Sequence, residues 1–198
     1  MGRTMETIDF KKTLDSLRET GFNPVPNQVR ITIPDAKSVL WRGLNYFTDG
    51  KAQWLPEYDQ IAQWLTDNRG RGLLCHGNCG RGKSLICWKI IPLLLNHYCR
   101  KVVSCYDAQQ MNAELDTVKQ RHILYIDDVG TESMAVKYGE RRLAFCEVVD
   151  EAEKRGKLLM LTTNLSLEEI SQKYGERTMD RLVAITRRVK FEGTSLRR

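Results

Sequence analysis

Eight consecutive residues, Gly77-Asn78-Cys79-Gly80-Arg81-Gly82-Lys83-Ser84, carry the clearest chemistry in the chain, because they fit the spacing G-x-x-x-x-G-K-[ST] of a phosphate-binding loop. Glycines at 77, 80 and 82 permit backbone angles that let successive N–H groups turn inward around an anion. A helix starting at Ser84 would add its own free N–H groups and the positive end of its dipole. Lys83 is placed to reach the β- and γ-phosphates of a nucleotide such as ATP, and the Ser84 hydroxyl to ligate Mg²⁺. Asn78, Cys79, Arg81 and Leu85 complete the candidate nucleotide-binding set.

Acidic partners for this loop stand further on. Asp127 and Asp128 end the apolar run Ile123-Leu124-Tyr125-Ile126, and ligands of parallel sheets collect at the carboxyl ends of strands. Asp127 suits a second Mg²⁺ contact, and Asp128, on the opposite side of the strand, the orientation or deprotonation of an attacking water. Asn164 follows another apolar run, Leu158 to Leu161. Ser166 with Glu169 forms a capping box for the next helix, which frees the Asn164 amide to sense the γ-phosphate. Arg177 and Arg181 are four apart, on one helical face. Two readings stay open for them: a forked charge offered to a neighbouring copy's γ-phosphate, or surface ion pairs with Glu176 and Asp180.

The elements that must position these groups are legible in outline. Gly72–His76 reads as a buried strand and Ser84–Cys99 as a helix, which is the context a phosphate loop requires. Further strands are expected at 101–106, 121–128 and 158–164, with helices over 56–65, 108–118, 139–155 and from Leu167 onward. Strands alternating with helices predict an α/β fold with a mostly parallel sheet. The chain length, 198 residues, suits one such domain. Residues 51–185 form the expected core. Residues 1–50, with a helix over 7–19 and Pro24, Pro26 and Pro34 after it, read as an arm and linker, a possible partner-binding segment. Residues 186–198 read as a basic tail.

Composition narrows the classes. Hydrophobic residues make up 41% and charged residues 28% of the chain, as in a water-soluble globular domain. No run of some eighteen apolar residues and no apolar leader is present, so a cytoplasmic location without membrane contact is expected. The six cysteines are scattered rather than spaced as paired ligands, and read as reduced thiols. Net charge is +6, and residues 177–198 hold seven basic against two acidic side chains. Such a stretch can meet nucleic-acid phosphates.

The order of motifs resembles AAA+ ATPases of the DnaC/IstB type. Gly77–Ser84 is similar to Walker A, and Ile123–Asp128 with Val129-Gly130 to Walker B. Thr162-Thr163-Asn164 and the helix after it are similar to the sensor-1 region, and Tyr174–Leu182 to the Gly-Glu-Arg-x-x-x-Arg-Leu signature. The resemblance spans roughly residues 55–185 and implies a P-loop NTPase three-layer sandwich with a reduced C-terminal lid. It implies ATP and Mg²⁺ as cofactors, Asn164 as sensor 1, and Arg181 as an arginine finger with Arg177 beside it. It also implies side-by-side assembly with further copies, a replicative helicase or a transposase as partner, and contact with single-stranded DNA. Hydrolysis would be weak unless stimulated by assembly or by that partner. Only about fifteen residues separate Tyr106 from His122, fewer than the family's usual helical region there. A sensor-2 arginine has only Arg187 and Arg188 as candidates.

Two other classes compete. A nucleotide-gated adaptor with negligible turnover would share every motif but would not hydrolyse when assembled. A small-molecule kinase would need an acceptor-binding insertion, which is not evident, and would leave the Gly175-Glu176-Arg177 signature unexplained.

Overall fold

The computed structural model describes residues 7–22, 27–132, 135–137 and 140–196. At its centre lies a five-stranded sheet in which β1 (Gly72–Gly77), β2 (Ser104–Asp107), β3 (Ile123–Val129), β6 (Leu158–Thr163) and β7 (Thr186–Phe191) are all parallel, in the order β2-β3-β6-β1-β7. A separate antiparallel pair, β4 (Ala135–Lys137) and β5 (Glu140–Arg142), follows β3. The helices expected between the strands cover both faces, giving three layers.

The apolar runs form inner strands because both faces of a parallel sheet are buried. Successive side chains of a strand then serve opposite cores. Leu73, Cys75, Tyr125 and Met160 pack with α2 (Ala36–Phe47), α3 (Pro56–Thr66) and α4 (Ile91–Cys99). Leu74, Leu124, Ile126 and Leu161 pack with α7 (Ala144–Arg155), α8 (Leu167–Tyr174) and α9 (Glu176–Ile185).

Several boundaries differ from the sequence reading. The segment set apart as an arm over 1–50 joins the core well before residue 50. Val29, Ile31 and Ile33 are buried, as are Ala36, Val39, Leu40 and Leu44 of α2. The side chain of Asn68 stitches this extended stretch down, accepting from the Ile31 N–H at 2.8 Å and donating to the Val29 carbonyl at 2.9 Å. Buried backbone groups need such partners, so one buried asparagine fixes the path. Within this segment α1 (Phe10–Glu19), capped by Asp9, contributes no buried residue. Pro24 and Pro26 lie outside the described residues.

At the other end, residues 186–191 form an edge strand rather than a tail. Val189 and Phe191 are fully buried while Arg188 and Lys190 face outward. Charges on the outward face protect an edge from stray pairing, and they also mask the strand's apolar alternation in the sequence. Arg197 and Arg198 lie outside the described residues.

The helix expected over 108–118 divides into α5 (Ala108–Ala113), started by an Asp107–Gln110 capping box, and α6 (Leu115–Gln120). The helix expected from Gly139 begins at Ala144, with β5 occupying 140–142; Gly139 itself lies outside the described residues. No helix among the described residues is long and apolar enough to cross a membrane.

Candidate nucleotide site

The strand-turn-helix context holds. β1 ends at Gly77, the loop follows, and a π-helical turn over Leu85–Ile90 runs on into α4. At Gly82, φ is +86°, and a Cβ there would come within 2.6 Å of the Tyr58 hydroxyl. Only glycine lets the backbone pass so close in that conformation. Tyr58 in turn donates to the Arg81 carbonyl at 2.9 Å, so α3 supports the loop from behind.

Cys79, Gly80, Gly82, Lys83, Ser84 and Leu85 border a cleft of about 1010 Å³ that Asp128 and Asn164 also line. The Lys83 ammonium donates to the carbonyls of Gly77 and Asn78, each at 2.7 Å, and to Asn164 Oδ1 at 2.9 Å. Burial pulls its pKa below the ordinary lysine value, while the Asp128 carboxylate works the other way. The Lys83–Asn164 bond joins the phosphate loop directly to the end of β6.

Ser84 Oγ donates to Asp127 Oδ1 at 2.8 Å. A serine hydroxyl beside a carboxylate, at the mouth of an anion nest, is the oxygen set a hard divalent cation takes up along with phosphate oxygens and water. The same carboxylate oxygen also accepts from Thr162 Oγ1 at 2.5 Å and from the Tyr125 hydroxyl. Burial drives the Tyr125 pKa far up, so the phenol stays protonated and keeps donating.

Asp128 stands at an irregularity in β3. The β3–β6 register shifts between Ile126 and Val129, and Asp128 adopts φ +50°. A bulge of this kind re-aims side chains at strand ends. Here it gives Asp128 a place on the same cleft as Lys83 and Ser84, and its N–H donates to Thr162 Oγ1 at 3.1 Å. Left-handed backbone at a non-glycine residue is a strained feature of the sort that concentrates at functional sites.

Not every residue of the sequence motif faces the cleft. The Arg81 guanidinium turns away and pairs with Glu57 at 2.7 Å, both side chains under a tenth exposed. The Asn78 side chain donates to the Gly193 carbonyl at 2.9 Å. Ser166 and Glu169 do form the capping box that frees Asn164.

The arginine pair is separated by its contacts. Arg181 makes ion pairs with Asp150 and Glu153 on α7, rather than with its helix neighbours Glu176 and Asp180. Arg177, one turn earlier, is exposed and has no partner among the described residues. Neither borders the cleft of this chain.

Sequence reasoning missed three contributors. Tyr125 shares a strand face with Asp127, so period-two alternation alone pointed to it. Thr162 lies one strand over, where only the register reveals it. Lys51, Ala52 and Gln53, with Ser195 and Leu196, also line the cleft as a third group, and no motif marks them.

No protein-family model and no curated protein matches the sequence, whereas solved structures do. The DnaC helicase loader superposes with a TM-score of 0.59 at 16% identity, covering 76% of this chain and 99% of that one. A candidate primosome component from Streptococcus pyogenes serotype M3 gives 0.52 at 17% identity, over 84% and 88% of the two chains. AMPPCP-bound DnaA from Aquifex aeolicus gives 0.52 at 13% identity, over 71% of this chain and 48% of that one. The fold is one shared with the DnaC helicase loader and DnaA. Within that fold, four of the groups singled out from the sequence form two hydrogen-bonded pairs, Lys83 with Asn164 and Ser84 with Asp127.

Proposed function

We propose that this chain binds and hydrolyses ATP with Mg²⁺, and that it acts as a helicase-loader-type accessory protein in DNA replication. The observation that carries the reading is the convergence of Lys83, Ser84, Asp128 and Asn164 on one cleft around a glycine-rich anion nest, with Asp127 bonded to Ser84 at its edge. Backbone N–H groups of residues 79–84 would hold the triphosphate, the Asn78 N–H being donated to the Phe191 carbonyl, with Lys83 leaving its loop carbonyls for the β- and γ-oxygens. Ser84 and Asp127 would hold Mg²⁺, which supplies charge neutralisation between those phosphates. Asp128 orients the attacking water and draws off its proton, and Asn164 positions the γ-phosphate.

The remaining charge falls to the Arg177–Arg181 face of α9, which we assign to the site of a neighbouring copy. In that arrangement each cleft is completed by a second copy of the chain. The amphipathic helix α1, with Phe10 exposed and no buried side chain, is the segment we assign to the helicase partner. Single-stranded DNA is a further expected contact of the assembly; a transposase partner finds no feature in the structure that favours it over a helicase.

The test has two arms. ATP turnover per chain should rise with protein concentration, and Lys83→Ala should remove ATP binding. Capture from the native host with Asp128→Asn should retain the ATP-bound assembly; recovery of a replicative helicase supports the loader role, and its absence alongside a recovered transposase overturns it.

A further inference from the structure

Beyond β7, the chain stays against the molecule at residues 193–196. It folds back over the phosphate loop and is fastened there by three hydrogen bonds. The Asn78 side chain donates to the Gly193 carbonyl at 2.9 Å, Arg81 to the Thr194 carbonyl at 3.1 Å, and the Leu196 N–H to the Gly80 carbonyl at 2.8 Å. The fit is close: a Cβ at Gly80, where φ is +72°, would lie 2.0 Å from the Ser195 hydroxyl oxygen.

The Arg81 contact accounts for why the tail sits there. Arg81 is buried and paired with Glu57 of α3. A buried ion pair is favourable only if its remaining donors are also satisfied. The Thr194 carbonyl takes one of those donors, so a residue at a variable position of the phosphate loop clamps α3, the loop and the tail together.

Ser195 and Leu196 consequently line the nucleotide cleft, which Lys51, Ala52 and Gln53 also border. Leu196 is 41% exposed, an apolar side chain left uncovered where Leu44, Ala52 and Leu85 supply the other apolar lining. An uncovered apolar wall beside polar groups is what a flat heteroaromatic ring takes up.

We infer that residues 193–196 are a built-in wall of the nucleotide site, and that Leu196 packs on the nucleobase. The inference rests on the proposed ATP binding and deepens it. The tail binds along the outside of the loop through the carbonyls of Gly193 and Thr194 and the amide of Leu196, leaving the loop's own N–H groups to the phosphates. It therefore acts on the base end of the ligand and not on the phosphate end.

The test uses the full chain, with calorimetric titration of ATP and, separately, of inorganic tripolyphosphate. Leu196→Asp should weaken ATP roughly tenfold, the order of one lost leucine contact, and leave tripolyphosphate unchanged. Asn78→Ala, which releases the Gly193 carbonyl while retaining the loop, should weaken ATP in the same selective way. Amide exchange at Leu196 in the wild-type chain should slow when ATP is added. Equal ATP affinity in both variants, or tighter ATP binding with faster Leu196 exchange, overturns the inference; the latter would make the tail a plug. Failure of the wild-type chain to bind either ATP or tripolyphosphate overturns the ATP reading itself, a result distinct from selective loss of the base.

Discussion

Lys83 and Asn164 are joined by a 2.9 Å hydrogen bond across 81 residues of sequence. The bond places the end of β6 within reach of whatever Lys83 grips. Binding of a triphosphate must redirect the ammonium, and the amide is then free to act on the γ-phosphate. Asn164→Ala should lower single-turnover hydrolysis on the order of a hundredfold, the usual cost of one preorganised polar contact to the reacting group. ATP affinity, measured by calorimetry, should change by no more than a few fold.

Asp127 accepts from Ser84, Tyr125 and Thr162 on a single oxygen. Thr162 also accepts from the Asp128 N–H. Thr162→Val keeps the shape but strips both interactions, leaving a partly buried N–H without its acceptor. A loss of about 1–3 kcal/mol in urea-unfolding stability is expected. Tyr125→Phe, which removes one donor only, should cost about 1 kcal/mol.

The two arginines of α9 should separate in their effects. Arg181 is 18% exposed in its ion pairs with Asp150 and Glu153, so Arg181→Ala should lower stability by about 1 kcal/mol after allowance for solvent screening. Arg177→Ala should stay within about 0.5 kcal/mol of wild type, as surface changes do. Whichever of them serves a neighbouring site, its removal should lower hydrolysis on the order of a thousandfold or more while sparing ATP binding. Turnover measured on mixtures with Lys83→Ala chains, which lack a working site of their own but still offer the arginines, identifies it.

His76 ends the apolar part of β1 and is buried, and burial together with Lys190 and Arg188 holds its pKa below the ordinary 6.5. The folded state therefore resists protonation that the unfolded chain accepts. Between neutrality and acid, the unfolded state binds more protons, so stability should fall as pH drops through and below 6.5. His76→Gln should flatten that slope in urea titrations between pH 7 and 5.

How far the sequence could be read follows from the range of each interaction. The phosphate loop, Asp127, Asn164 and the Ser166 cap are local patterns, and each was legible. β7 was not, because Arg187, Arg188 and Lys190 interrupt its apolar positions and its partner β1 lies over a hundred residues earlier. The Asp128 bulge was equally hidden, since a single left-handed residue leaves no compositional trace when it is an aspartate. The same holds for Arg81, a loop residue whose motif position suggested the nucleotide while its partner, Glu57, sits on α3.

Strand β1 is flanked in the sheet by β6 and β7, both translated well after it. During synthesis the phosphate loop is thus translated long before anything exists to hold it from either side. Pairing over such separations is slow, because a large loop must close before any contact rewards it. The nascent chain should remain unable to retain ATP until residues near 191 have emerged from the ribosome. Nucleotide capture would then report that β7 has docked, so a chain lacking β7 would have no means of entering an assembly that depends on bound ATP.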